Sequence, residues 1–160
     1  MNRAHRIASA IALVALAASV TAGMALAHHG GIEGLFNARG TLDPVTLHDR
    51  DSKLKIKVKE PVDVAIVGAQ IHAHGQTGWH THPADSIVSV QPGAPTLTMV
   101  TQERGRCVEQ AFEGGEAFVH PAGPHNFIND SELPLNFGVA YVVPVGAQLL
   151  TAAPQPVGCR

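Results

Sequence analysis

Two histidines stand two residues apart in the segment GWHTHP, residues 78–83, and this spacing suits a metal site. Successive side chains of a β-strand point to opposite faces, so the imidazoles of His80 and His82 share one face of an extended segment. Neutral imidazole binds Zn, Cu, Fe and Ni. A bound ion needs a further donor, and His125, which follows a turn rich in Pro and Gly, is the candidate. We therefore predict a divalent metal site at His80, His82 and His125, holding Fe, Mn, Zn, Cu or Ni.

The two histidine segments resemble the two motifs of the cupin superfamily. The first motif is Gly, five residues, His-x-His, three or four residues, Glu, six residues, Gly, and it is matched by His80, His82 and Gly93. The second motif is Gly, five residues, Pro-x-Gly, two residues, His, three residues, Asn, and it is matched by Gly115, Pro121, Gly123, His125 and Asn129. From about Arg39 onward the chain looks like a small exported bacterial single-domain cupin. The resemblance implies a jelly roll, but it brings no assigned reaction.

The sequence departs from the cupin pattern in two places. Ser86 and Ile87 stand four and five residues after His82, where the family has its carboxylate ligand. Only Pro124 separates the motif glycine from His125, one residue fewer than in the pattern. Three histidines without the carboxylate leave an open coordination position, as catalytic metal sites do, or mark a site that has lost its metal.

A fourth donor could come from another histidine. His72 and His74 precede the loop of residues 75–78 and share a face if that segment is extended. His74 is the candidate fourth ligand, against a solvated or hydrogen-bonding role, because a lone histidine is seldom a ligand. His120 is a weaker candidate. The nearby acids Asp85 and Glu116 do not have the spacing of the motif carboxylate.

The N-terminus has the layout of a secretory signal peptide. Arg3 and Arg6 precede an apolar run over residues 7–20, and Ala25-Leu26-Ala27 resembles a cleavage site. The run is shorter than the roughly 20 residues that a bilayer requires. We predict a signal peptide over residues 1–27, export to the periplasm or the medium, and no stable membrane span in the mature chain. The alternative is an uncleaved N-terminal anchor.

The rest of the chain is long enough for one domain and too short for two. We predict a flexible mature N-terminus over residues 28–38 and a cupin domain over residues 39–160. His28 and His29 would begin the mature chain; a terminal histidine can bind copper, but a flexible end is the favoured interpretation. The chain has 11 Lys and Arg against 13 Asp and Glu, with no basic block, so we predict no nucleic-acid partner.

The segments from Lys53 onward are typical of β-structure. Val and Ile are frequent in runs spaced about ten residues apart, and Gly and Pro turns separate the runs. Lysines alternate with apolar residues over 53–59, which indicates a solvated edge strand. Many short strands predict an all-β sandwich or barrel. Periodicity alone does not separate a jelly roll from an immunoglobulin-like sandwich, and the two histidine motifs favour the cupin jelly roll, a double-stranded β-helix barrel.

Cys107 and Cys159 are the only cysteines. An even pair in an exported chain predicts a disulfide bond. The competing interpretation, two thiolate metal ligands, lacks a Cys-x-x-Cys spacing and any nearby histidine motif.

These features predict an exported, metal-binding cupin that holds a small organic ligand in its barrel, with no assigned reaction. One alternative is a dioxygenase-like oxidoreductase, in which three histidines leave positions on the metal for O2 and substrate. A second alternative is a metal-free protein that binds or stores a small ligand. The aromatic content of 4% offers no stacking platform for sugars or bases. The family resemblance also suggests a homodimer.

Overall fold

A computed structural model of the protein describes residues 31–160. The predicted signal peptide, residues 1–27, and the terminal pair His28 and His29 lie outside the described residues. No helix within residues 31–160 is long and apolar enough to cross a bilayer.

The described residues form two five-stranded sheets and one separate hairpin, with antiparallel pairing throughout. The first sheet has the order β1 (Ile32–Leu42), β4 (Val62–Ile71), β11 (Leu135–Pro144), β6 (Ser86–Val90), β9 (Ala117–His120). The second has the order β12 (Thr151–Ala152), β5 (His80–Thr81), β10 (His125–Ile128), β7 (Leu97–Glu103), β8 (Arg106–Phe112). The hairpin pairs β2 (Val45–His48) with β3 (Lys55–Val58). This arrangement confirms the predicted all-β jelly roll.

The core lies between the two sheets because alternate residues of the long strands are apolar. In β11 every second residue from Leu135 to Val143 is buried, and the residues between them are more exposed. Strand β4 contributes Ala65, Val67, Ala69 and Ile71 to the same core. Period-two burial fixes the register, since a slip of one residue would turn these side chains into water.

Strand β1 corrects the predicted flexible N-terminus at residues 28–38. Residues 32–38 belong to β1, which pairs along its length with β4, from Ile32 opposite Ile71 to Leu42 opposite Val62. All of β1 after Ile32 is exposed, so it carries no period-two pattern that the sequence could reveal. Backbone pairing at the sheet edge holds it, and the ring of Phe36 lies directly over Gly68, where a Cβ atom would clash with it.

The lysine-rich segment is half of the hairpin. Strand β3 pairs only with β2 among the described strands, so both are edge strands, as predicted for residues 53–59. The sequence analysis did not predict β2. Leu47, Leu54 and Ile56 remain 41–49% exposed, so the hairpin contributes little to the core.

The predicted disulfide bond between Cys107 and Cys159 is present, and its two cysteines are 52 positions apart in the sequence. It joins β8 to the C-terminal segment. Cys159 is buried in a second apolar cluster with Trp79, Val100 and Ile128. The disulfide therefore holds the C-terminal segment next to Trp79, the residue that precedes His80.

Reduction of this disulfide is expected to lower the free energy of unfolding by about 2–4 kcal/mol, because the open chain gains loop entropy in the unfolded state. Urea unfolding with and without a phosphine reductant measures the loss. A variant with Cys107→Ser and Cys159→Ser serves as the control, since it should resemble the reduced protein and ignore the reductant. Equal stability of the oxidised and reduced chains would contradict the expectation.

Candidate metal centre

The fold brings the three predicted ligands together. His80 begins β5, His82 follows that strand, and His125 begins β10 directly opposite His80 in the ladder. One ring nitrogen from each lies within 4.8 Å of the others. The ring centroids are 4.1 Å apart for His80 and His125, 4.9 Å for His80 and His82, and 5.0 Å for His82 and His125.

Each of the three rings has its Nδ1 bound to a backbone carbonyl. The pairs are His80 with Gly78 at 2.7 Å, His82 with Leu149 at 2.6 Å and His125 with Gly123 at 2.8 Å. A carbonyl oxygen can only accept a hydrogen bond, so Nδ1 carries the proton and Nε2 keeps a lone pair. Such outer bonds fix the tautomer and orientation of metal-binding histidines.

The environment of the Nε2 atom of His125 indicates whether the site suits a metal ion. It is buried and has no hydrogen-bond partner, in a residue that is fully buried. An unpaired buried nitrogen destabilises the fold by about 1–3 kcal/mol. A cation held between this lone pair and those of His80 and His82 would remove that cost, so the donor set fits a divalent transition metal.

Burial keeps the three rings neutral at neutral pH. Desolvation lowers the pKa of His80 to about 4, although its bond to Gly78 acts in the opposite direction. Desolvation also lowers the pKa of His82, and it moves that of His125 far below its usual range. Neutral imidazole is the form that binds a metal, so the site needs no proton release at pH 7.

A fourth histidine, His120, which the sequence analysis made a weaker candidate than His74, lies beside this group. It ends β9, is 1% exposed, and places its ring centroid 3.8 Å from that of His125 and 5.2 Å from that of His82. Burial is the main cause that lowers its pKa to about 3. The position of His120 depends on the pairing of β9 with β6, which no local pattern reveals.

The buried histidines are expected to make the apoprotein less stable in acid. Their pKa values are about 6.5 in the unfolded chain but lower when folded, so below pH 6.5 the unfolded state binds more protons. Stability is therefore full above pH 6.5 and falls toward pH 4 for His80 and pH 3 for His120. His80 alone corresponds to roughly 3 kcal/mol.

Urea unfolding in the presence of a chelator, between pH 8 and pH 4.5, measures this slope. His72→Ala is the matched control, since this histidine is exposed and lies outside the buried group. His120→Phe should reduce the slope. A stability that stays constant from pH 8 to pH 4.5 would contradict the burial argument.

His74, the predicted fourth ligand, is not near the other three. It lies in the turn after β4 with a positive φ of 54°, and its side chain is 58% exposed. Its Nε2 is 3.1 Å from the carboxylate of Glu132. His72 is also exposed, with its Nε2 3.7 Å from Glu33. The left-handed turn directs His74 to the surface, so neither residue reaches the candidate metal centre.

Three other residues belong to the surroundings of the two histidine segments. Trp79 is buried on the face opposite His80, and its Nε1 donates a hydrogen bond to the carbonyl of Arg160. Asn129, the last residue of the second motif, binds backbone groups around its own turn and has no contact with the histidine rings. Tyr141 approaches His82 with 5.1 Å between ring centroids, and burial raises its pKa, so its hydroxyl stays protonated.

A surface depression of about 310 Å³ lies elsewhere on the molecule. Its lining contains none of the histidines; it is formed by Gln91, Pro92, Gly93, Ala94, Pro95, Leu133, Pro134 and Asn136. The half-buried side chain of His82 is the most exposed of the three candidate ligands.

No protein-family model matches the chain, and no curated protein matches it. The chain is similar in structure to a cupin domain from Bordetella pertussis, at 21% identity over 64% of this chain and 98% of that one, with a TM-score of 0.43. Bacillus subtilis oxalate decarboxylase, which has Mn(II) centres, aligns at 16% identity over 56% of this chain and 23% of that one (TM-score 0.48). A DMSP lyase aligns at 15% identity over 57% and 44% (TM-score 0.45).

These likenesses concern the fold alone, and the chain spans less than half the length of the two enzymes. The class of protein is defined by the molecule itself, through the order of strands in its two sheets and the convergence of its two histidine segments. It is an antiparallel jelly roll with three clustered histidines, and both the fold and the clustering were predicted from the two sequence motifs.

Proposed function

We propose that this protein is an exported metal-binding protein that holds one divalent ion at His80, His82 and His125 and a small organic ligand beside it. The observation that carries the proposal is the convergence of three ring nitrogens within 4.8 Å, one of them buried without a partner. Each ring is fixed through its Nδ1, so the donors are oriented before a metal binds.

A bound ion would act as a Lewis acid toward an oxygen atom of the ligand. The side chains of this chain would orient and shield that ligand. Tyr141 offers a protonated hydroxyl in a buried position near His82, and Phe127 packs with its ring centroid 5.2 Å from that of His125. One polar group on an apolar wall is typical of small-molecule sites.

The direct test is a metal titration of the untagged mature chain after treatment with a chelator. Zn, Mn, Fe(II), Ni and Cu are added one at a time, and bound metal is counted by elemental analysis after gel filtration. We expect one equivalent of at least one of these ions. If none binds, the metal proposal is wrong, and the metal-free ligand-binding alternative gains support.

The dioxygenase-like alternative depends on the number of protein donors, which is three. Three imidazoles leave open positions on Fe or Cu, and such positions are what O2 and an organic substrate need. Oxygen consumption by the metal-loaded protein with a panel of small phenols, diketones and thiols tests this reaction class. A protein that binds metal and ligand but consumes no oxygen would favour a binding role.

Export is part of the proposal. A disulfide bond persists in oxidising compartments, and this chain has one. N-terminal sequencing of the secreted or periplasmic protein should begin at His28 if residues 1–27 are the signal peptide. An N-terminus at Met1 in a membrane fraction would favour the uncleaved anchor.

The outer face of the first sheet supports a homodimer. A row of paired residues crosses all five strands and leaves Ile66, Ile87 and Val119 between 40% and 70% exposed. Five strands about 4.8 Å apart, with 11, 10, 10, 5 and 4 residues, give a face on the order of 600 Å². Stable complexes bury at least about that area on each partner.

Substitution of Ile87 by Glu is expected to convert the dimer to a monomer, because two buried carboxylates would face an apolar surface. Sedimentation velocity at micromolar concentration measures the change. Val157→Glu is the control, since Val157 is 97% exposed and lies outside this sheet. A wild-type chain that sediments as a monomer would contradict the dimer.

A further inference from the structure

His120 shares the environment of the three candidate ligands. It is 1% exposed, and its ring contacts those of His125 and His82. Its Nδ1 is 3.2 Å from the hydroxyl of Ser86, so it too is held on the Nδ1 side. Its Nε2 is buried and has no hydrogen-bond partner, as is true of His125. Two adjacent buried nitrogens without partners are rarely found in a folded protein.

Ser86, whose hydroxyl contacts Nδ1 of His120, lies at a position of the first histidine motif. Ser86 stands four residues after His82, where the cupin pattern has its carboxylate. It is buried, and it lies directly opposite His120 in the pairing of β6 with β9. A short serine side chain leaves the space that a longer carboxylate side chain would fill, and the imidazole of His120 enters from the neighbouring strand.

We propose that His120 supplies a fourth nitrogen to the metal and so replaces the missing carboxylate; this inference rests on the proposed metal site. The 4.8 Å group contains only the other three histidines, so the His120 ring must shift toward them when the ion binds. In this arrangement the Nδ1–H of His120 donates a hydrogen bond to the hydroxyl oxygen of Ser86, and Nε2 presents its lone pair to the metal. Four neutral imidazoles add no charge to a divalent ion, so the complex has a net charge of +2 and favours an anionic ligand.

The other candidates for the fourth metal ligand are exposed and already have partners. His74 is exposed and bound to Glu132. Asp85 is exposed, and its carboxylate accepts a hydrogen bond from the backbone N–H of Ala122 at 3.0 Å. Glu116 accepts a bond from the backbone N–H of Glu113 at an exposed turn. His120 is thus the nearby donor with a free and buried nitrogen.

The coordination number can be counted directly in the wild-type protein. X-ray absorption of the zinc-loaded chain reports the number of bound imidazoles, and we expect four. Three imidazoles would overturn the proposal. This readout does not depend on whether any variant folds.

Metal affinity gives the second readout, by competition with a chromophoric chelator. His120→Gln should weaken zinc binding by more than about 100-fold and remove one imidazole from the count, because a direct ligand is lost. Ser86→Ala should weaken it less, because the ring loses only its orienting partner. His74→Gln is the matched control and should leave the affinity unchanged. Thermal unfolding of each apoprotein shows whether the variant is folded.

The variants also separate this inference from the proposed function. If His80→Ala loses zinc and His120→Gln binds it as the wild type does, only the inference on His120 is wrong. If neither the wild type nor any variant binds zinc or another ion, the proposed metal function is wrong as well.

Discussion

Replacement of His125 by alanine is expected to weaken metal binding at least about 1000-fold. His125 is fully buried and opposite His80 in the ladder, so no other side chain can take its place. Loss of an outer-shell partner already weakens metal sites by 10- to 100-fold, and loss of a direct ligand should exceed that. Isothermal titration with Zn and elemental analysis of the purified variant measure the effect.

The stability of the protein should respond to metal in the same way. A ligand that binds only the folded state stabilises it by an amount that grows with concentration over Kd, about 4 kcal/mol at 1000 times Kd. We expect metal to raise the unfolding temperature of the wild type and to leave that of His125→Ala nearly unchanged. His74→Ala is the matched control, because this histidine lies on the surface beside Glu132. A metal response that survives in His125→Ala would exclude the site at His80, His82 and His125.

The sequence predicted the parts of this molecule that depend on local patterns. Runs rich in Val and Ile, separated by Gly and Pro turns, indicated strands, and β4 and β11 are two of them. The His-x-His spacing placed His80 and His82 near each other. The turn before His125 closes on itself through the bond from His125 Nδ1 to Gly123, so its direction was encoded locally.

The parts that the sequence did not predict depend on pairing between distant segments. Strand β1 is exposed along its length and is defined by its register with β4. His120 reaches the candidate metal centre because β9 pairs with β6, and its partner Ser86 lies 34 positions earlier in the chain. His74 was overrated because its positive φ, which turns it to the surface, is unusual for a residue other than glycine.

Asn129 shows how the second motif contributes to stability. It is fully buried, and its Nδ2 lies within 3.2 Å of the carbonyls of Ile71, His72 and Leu133. Its Oδ1 accepts hydrogen bonds from the backbone N–H and the hydroxyl of Ser131. One amide thus connects the end of β4, the end of β10 and the loop before β11. Asn129 therefore orients its own turn and also links it to the neighbouring segments.

Replacement of Asn129 by alanine is expected to lower the free energy of unfolding by about 3–5 kcal/mol. Each lost hydrogen bond contributes about 1 kcal/mol, and a buried carbonyl left without a partner adds a further 1–3 kcal/mol. Urea unfolding of the chelator-treated protein measures the loss. Glu132→Ala is the matched control in the same loop, because its side chain is 87% exposed and pairs only with a surface histidine, so the change should stay within about 0.5 kcal/mol.

The metal affinity of the folded Asn129→Ala chain separates a structural role from a binding role. Asn129 does not contact the histidine rings, so at low temperature, where the variant is still folded, zinc should bind within a few-fold of the wild-type affinity. A variant with unchanged stability and a large loss of metal would contradict this, and would place Asn129 in the binding machinery. The expected combination, a large loss of stability with metal binding retained, follows because the amide holds the backbone of three segments while the rings are oriented by Gly78, Leu149 and Gly123.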